Sequence, residues 1–194
     1  MKLSYFGAGV LGIALTFTLG SSPVFAKQPL TIVMENMKND SDSTKVENLA
    51  KELMKLKPIS SNDFKAKFKK EIKGFKLTEV NAFEDKETGS YATANYAKGT
   101  QNVYLMITDG AGAGAEQVKG TLLSYLELKT MEEPDDKTNI KNYKGWFVYF
   151  DHSMYENDKM TSIQYLEGNR YAVVASGTNI SLEELKTLLD NVSL

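Results

Sequence analysis

The chain of 194 residues has no cysteine, one histidine, one tryptophan and four prolines. Without cysteine there is no disulfide framework, no thiol nucleophile, no thiolate metal ligand and no lipid-attachment cysteine. A single histidine, with no second histidine or cysteine to join it, leaves zinc without a ligand set. The formal net charge is only −2, so there is no global basic footprint of the kind a nucleic-acid binder concentrates on one face. No cofactor and no resident metal is expected.

Long apolar runs are also missing, except at the beginning. Lys2 is followed by the uncharged "YFGAGVLGIALTFTLG", and "SSPVFA" places Val24 and Ala26 where a signal peptidase reads small residues. The run is about 16 residues, short of the ~20 that span a bilayer. The expectation is a signal peptide over 1–26 and an exported protein, periplasmic or extracellular, soluble after cleavage and touching the membrane only through that segment.

Residues 27–42 end in a polar Asn/Asp/Ser cluster and read as a flexible leader, which leaves 43–194 as one domain. "TKVENLAKELMKLK" spaces Val46, Leu49, Ala50, Leu53, Met54 and Leu56 as an amphipathic helix that Pro58 ends. "SSNDFKAKFKKEIKGF" steps Phe64, Phe68 and Ile72 by four, predicting a second helix up to Gly74. From there the period is two. "FKLTEVNAFE", "SYATANYAK" and "NVYLMITD" predict three strands, and "EQVKGTLLSYLEL" a helix. After the acidic "KTMEEPDDKTN", the pattern returns as "IKNYKGWFVYFD", "KMTSIQYLEG" and "RYAVVASG", then "SLEELKTLLDNVSL" with a Ser181/Glu184 capping box. Residues 43–74 are thus N-terminal helices, and 75–129 and 140–194 two halves with the order βββα. The fold class is α+β: a mostly antiparallel sheet of six or seven strands, with the two repeat helices on one face.

"MITDGAGAGAEQVKG" raises the question of a phosphate loop. A dinucleotide fingerprint needs a parallel strand-helix-strand unit, and here the strands are hairpin-linked. Gln117 and Val118 stand where a third glycine would be sought, and no glycine-lysine-serine ending follows. Glu116 in the first helical turn opposes an anion. The loop reads as a corner between strand and helix.

Chemistry-bearing clusters are sparse. His152 with Asp151, Glu156 and Asp158 reads as a solvated hairpin loop, with a hydrolase built on carboxylates and His152 as the alternative. "MEEPDD" lacks the glycine and spaced oxygens of a calcium loop. Lys65, Lys67, Lys69, Lys70 and Lys73 read as a solvated helix face, with an anionic membrane surface or an acidic partner as the alternative. The sheet says more. Val103, Leu105 and Ile107 alternate onto one face with Trp146, Val148 and Phe150 beside them, and the opposite side carries Tyr104, Met106, Phe147, Tyr149, Tyr171 and Val173. Either the N-terminal helices cover this second face, or it stays open as a groove or dimer surface rich in Tyr and Met. Tyr104, Met106, Phe147, Tyr149 and Tyr171 are the candidate binding residues.

At "KPISSNDFKAKFKKEIKGFKLTEV", "YAKGTQNVYLMITDGAG" and "NRYAVVASGTNISLEELKTLLDNVSL" the chain resembles a group of exported bacterial proteins of unknown function. In these a start of the "LKAxLPxxLxGxKRT" kind precedes a strand ending in ITDxAG and a closing RFxVxxxG with its helix. Lysines and phenylalanine replace the group's usual proline around "FKKEIKG". In its layers the chain is also similar to the PsbP and Mog1 kind of sandwich, which implies an accessory or binding role. The expected function is therefore a non-enzymatic binding or accessory domain that takes an unknown protein partner, a second copy of itself or a small hydrophobic ligand. A hydrophobic carrier with Met106 and Phe147 lining a cavity is the alternative within that class.

Overall fold

A computed structural model describes residues 40–131, 138–192 and 194. The expected signal peptide, nearly all of the expected 27–42 leader and the acidic "EEPDD" that follows Met131 lie outside the described residues. In chain order the elements are α1 (Asp40–Leu53), α2 (Ser61–Ala66), β1 (Glu71–Ile72), β2 (Phe75–Phe83), β3 (Tyr91–Lys98), β4 (Gln101–Asp109), α3 (Gly114–Met131), β5 (Thr138–Tyr143), β6 (Trp146–Asp151), α4 (Tyr155–Asp158), β7 (Met160–Glu167), β8 (Tyr171–Thr178) and α5 (Leu182–Leu189). Helix α1 starts at Asp40, so 40–42 belong to it and not to the leader.

The α+β class holds, with one antiparallel sheet of eight strands in the order β1-β2-β3-β4-β8-β7-β6-β5. The count exceeds six or seven for two local reasons. "IKNYKGWFVYFD" is a hairpin, turned at Lys144 (φ 52°) and Gly145 (φ 84°). The expected second helix stops at Ala66, and Ile72 pairs with Phe75 across Lys73 (φ 53°) and Gly74 (φ 83°). Two consecutive positive φ values mark a hairpin turn whose usual signature is Asn-Gly. Lysine in the first place hides it.

Register fixes the faces. Val80, Ala94, Leu105, Ala175, Ile163 and Phe150 form one row across six strands, and all but Val80 are buried. This inner face carries Val103, Ile107, Trp146 and Val148 as expected, and also Tyr96, Tyr165, Tyr171 and Val173. Phe64 of α2 sits 5.7 Å from the Tyr171 ring. Leu185, Leu188 and Leu189 of α5 are fully buried, with Ile180 closing over Gly177. Tyr143, whose ring packs on Phe150 and Tyr165, donates to Asp190 just after α5. Both α2 and α5 therefore cover the inner face.

Helix α3 lies on the other side. Tyr125 donates its hydroxyl to Gln164 at 3.0 Å, and Lys129 Nζ stands 3.5 Å from the Phe147 ring centre; Gln164 and Phe147 both belong to the outer face by alternation. Helix α1 packs on α3, tied by Lys119 to Glu47 at 2.9 Å. The two repeat helices are thus on opposite faces, contrary to expectation, and the repeat is one of element order.

One ion pair between a buried carboxylate and a partly exposed arginine organises the sheet end. Asp109, fully buried, receives Arg170 Nε at 2.7 Å and Nη2 at 2.8 Å. Its carboxylate also accepts the backbone N–H of Ile59 at 2.8 Å and of Ala111 at 3.1 Å. Burial alone would raise the Asp109 pKa and is the largest single effect. The Arg170 bonds and the two amides together outweigh it, and hold the carboxyl below its ordinary value.

The glycine loop is the corner it was read as. A Cβ on Gly114 would lie 2.0 Å from the Asp109 carbonyl oxygen, whereas one on Gly120 meets nothing within 4 Å. Gly114→Ala should therefore lose about 1–3 kcal/mol by forced overlap, while Gly120→Ala in the exposed helix gains up to about 1 kcal/mol; paired denaturant titrations read both, and equal effects would contradict the geometry. Asp109→Asn should cost about 3 kcal/mol at pH 7 by stranding Arg170. A carboxyl depressed in the native state stabilises above its unfolded pKa of about 3.9 and loses that contribution as pH falls further. The gap between wild type and Asp109→Asn should accordingly narrow as the pH falls below ~4; a gap constant down to pH 3 would refute the pairing.

Candidate functional site

The outer face divides into two halves. Over β5 to β8 it lies beneath α3: Phe147, Tyr149, Gln164 and Val174 are partly buried, and Leu166 is buried outright. Over β2, β3 and the Tyr104 part of β4 no described helix covers it, although Thr108 at the far end of β4 is buried. Phe83, Tyr91 and Tyr104 are 47%, 37% and 40% exposed. Neither the covered nor the open expectation describes the face alone, because α2 goes to the inner side and α3 shields only half of the outer one.

The open half has a defined surface. Phe83 and Tyr91 are direct cross-strand partners with rings stacked at 4.9 Å. The next outer row across β2–β4 holds Asn81, Thr93 and Met106, and the one after it Glu79, Asn95 and Tyr104. Glu79 accepts from Asn81 Nδ2 at 2.9 Å and from Asn95 Nδ2 at 3.2 Å, so the carboxylate is held flat on the sheet. Burial raises the Tyr104 phenol above its ordinary pKa, with smaller contributions from Tyr91 and Glu79 beside it. At neutral pH the patch presents hydroxyl donors, amides and one carboxylate around apolar rings.

The five residues named from sequence separate into three places. Tyr104 and Met106 are on the open half, Met106 half-buried at its border. Phe147 and Tyr149 share the outer face but lie under α3. Tyr171 is on the inner face, 6% exposed and packed between Phe64 and the Arg170 guanidinium. Its assignment beside Tyr104 is corrected by register: Tyr171 pairs with Asp109, and Val173 with Ile107. In "YAVVASG" both alternating sets are small or apolar, so the phase of this strand is not written in its own residues. Phe83 and Tyr91 were not singled out. Folding the two predicted strands about the "EDKETG" turn would have placed them opposite one another.

The remaining clusters carry less. His152 Nδ1 is buried without a hydrogen-bond partner among the described residues, and Asp151 Oδ1 is engaged by the Ser153 amide and hydroxyl at 2.8 and 2.7 Å. Among the described residues no carboxylate bonds His152 Nδ1. Among the described residues no acidic, histidine or cysteine group has metal-site geometry, and no helix is long and apolar enough to cross a membrane. A groove of about 420 Å³ between α1 and the hairpin turns is lined by Lys45, Asn48, Glu52, Trp146 and Asn169. Its aromatic floor is taken: Lys45 Nζ sits 4.1 Å from the Trp146 ring centre, and the indole N–H bonds Asn169. A cavity of about 110 Å³ is lined by Phe147, Leu122 and Leu126, and Met106 is not part of its wall.

No family model, curated protein or solved structure matches the chain.

The faces predict opposite mutational outcomes. Tyr171→Ser should cost about 3–5 kcal/mol, as large aromatic truncations in cores do, whereas Tyr104→Ser on the open half should change stability by no more than about 0.5 kcal/mol. Thermal unfolding of the two variants measures this, and a destabilised Tyr104→Ser would place Tyr104 in a core.

Proposed function

We propose that this chain is an exported, non-enzymatic binding domain, and that it meets a protein partner through the uncovered β2–β3–β4 half of its outer sheet face. The observation that carries this is the exposed cluster of Phe83, Tyr91 and Tyr104 on adjoining strands. Aromatic side chains give large contact area for little conformational entropy and are enriched where proteins meet. Fixed polar groups around them, here Glu79 clamped by two asparagines, supply orientation. The surface is a sheet face, whereas small-molecule sites are concave, and this favours a protein over a small ligand.

The carrier alternative needs Met106 and Phe147 in one cavity wall, and they are apart. The hydrolase alternative needs an oriented base, and among the described residues His152 Nδ1 has no hydrogen-bond partner. Export rests on the apolar segment and small-residue ending of 1–26 and on the resemblance to exported proteins.

A photo-crosslinking amino acid at position 104, introduced in the organism's own cells, tests the reading. One dominant adduct is expected, lost when Phe83 and Tyr91 are changed to serine. An adduct with a second copy of the chain would make the partner itself. A yield equal to that of a probe placed at Lys141 on β5, or indifferent to the serine changes, would reject the surface.

A further inference from the structure

We propose that the turn Met54–Pro58, with the lysines around it, docks on an anionic lipid bilayer. All five residues of this turn are exposed, and Met54 and Leu56 are among the most exposed large apolar side chains of the described chain, at 49% and 44%. They do not stand on a loose loop. Backbone bonds from Met54 N to Ala50 O, Lys55 N to Glu52 O and Leu56 N to Leu53 O close the turn. From beneath, Arg170 Nη2 donates to Lys57 O at 3.1 Å, the Gly112 N–H donates to Leu53 O at 3.0 Å, and Pro58 rests against Gly112. The fold holds the backbone of this turn in place and leaves its apolar side chains in water.

Lysines predominate around the turn. Between residues 51 and 70 there are seven lysines and two acids, Glu52 and Asp63. Glu84, bonded to the Ser61 amide, is an acid brought in from outside the segment. Asp63 is engaged by Ser60 in the α2 cap. Among the described residues none of Lys55, Lys57, Lys65 and Lys67 has a carboxylate ion pair. Lys67 leans over the Tyr171 ring that Arg170 also covers, so the lysines following α2 and the turn share one end of the molecule. The whole chain carries a formal charge of −2, and attraction to an anionic surface is therefore local to this end. Lysines are compact charges on flexible stems, suited to a diffuse layer of headgroups more than to the bidentate geometry of a particular carboxylate. Apolar side chains projecting among them suit the headgroup–acyl boundary. An acidic protein would account for the lysines but leave Met54 and Leu56 unexplained.

The absence of native cysteine makes the test clean. Leu56→Cys in the full chain, labelled with an environment-sensitive fluorophore, reports on this turn whatever residues 1–26 do. With phosphatidylglycerol vesicles a blue shift and a several-fold rise in emission are expected. Neither should appear with phosphatidylcholine vesicles, or at about 0.5 M salt where charges are screened within a few ångströms. Charge reversal at Lys55→Glu with Lys57→Glu, both exposed and unpaired, should weaken the signal's vesicle dependence at least tenfold while circular dichroism is unchanged. A label that stays in a polar environment on phosphatidylglycerol would overturn the proposal. So would a response indifferent to lipid charge, or a response to an acidic protein and not to vesicles.

Discussion

Asp109 is a carboxylate with no access to water, and much of the architecture follows from how its charge is compensated. Removing such a group from water costs several kcal/mol unless its lone pairs are filled by a well-placed cation and N–H donors. Here the fork of Arg170 and the amides of Ile59 and Ala111 fill them. The backbone doubles the connection: Asp109 N–H donates to Ser90 O, Gly110 N–H to Arg170 O, and the Ser90 hydroxyl to Ile59 O. Five segments are fastened at one point: the end of β4, the start of β8, the entry to β3, the α1–α2 connection and the entry to α3.

From that point the chain departs in different directions. Beyond Gly110 it turns sharply and lays α3 on the outer face; beyond Ile59 it crosses to the inner face as α2, where Phe64 meets Tyr171. One helix thereby goes to each side, and with α5 also on the inner face α3 is the one described helix packed directly on the outer face. The sheet is eight strands wide, and the half built from β2, β3 and β4 is left with its aromatic rings in solvent. The open surface is a geometric consequence of where the helices are sent, and the pair that sends them is also what keeps Lys57 and the turn beside it in place.

The sequence was legible wherever one alternating set was apolar and the other polar. In β4, Val103, Leu105 and Ile107 alternate against Asn102, Tyr104 and Met106, and the inner phase was assigned correctly; Trp146, Val148 and Phe150 joined it without such a contrast, since Phe147 and Tyr149 alternate with them. It was illegible where the contrast vanishes, as in β8, and Tyr171 was placed on the wrong side for that reason. The lysine-glycine turns at Lys73 and Lys144 hid a hairpin each, because lysine at positive φ is tolerated without being a signal. Phe64, Phe68 and Ile72 share a helical spacing, yet Phe64 ends up in a helix and Ile72 in a strand; burial against the same inner face satisfies both. Arg170 and Asp109 lie far apart in the chain, and no local pattern joins them. The candidate surface was half legible: Tyr104 and Met106 could be found, and Phe83 and Tyr91 needed the hairpin register.

The most direct test of the account is a double-mutant cycle on Asp109→Asn and Arg170→Gln, read by chemical denaturation. A bidentate pair on a buried carboxylate that fastens these segments should show a coupling of about 2–3 kcal/mol, so that the second substitution costs little once the first is made. Additive effects, with a coupling under about 0.5 kcal/mol, would mean that the sheet end is held by something else and that the disposition of the helices does not depend on this pair.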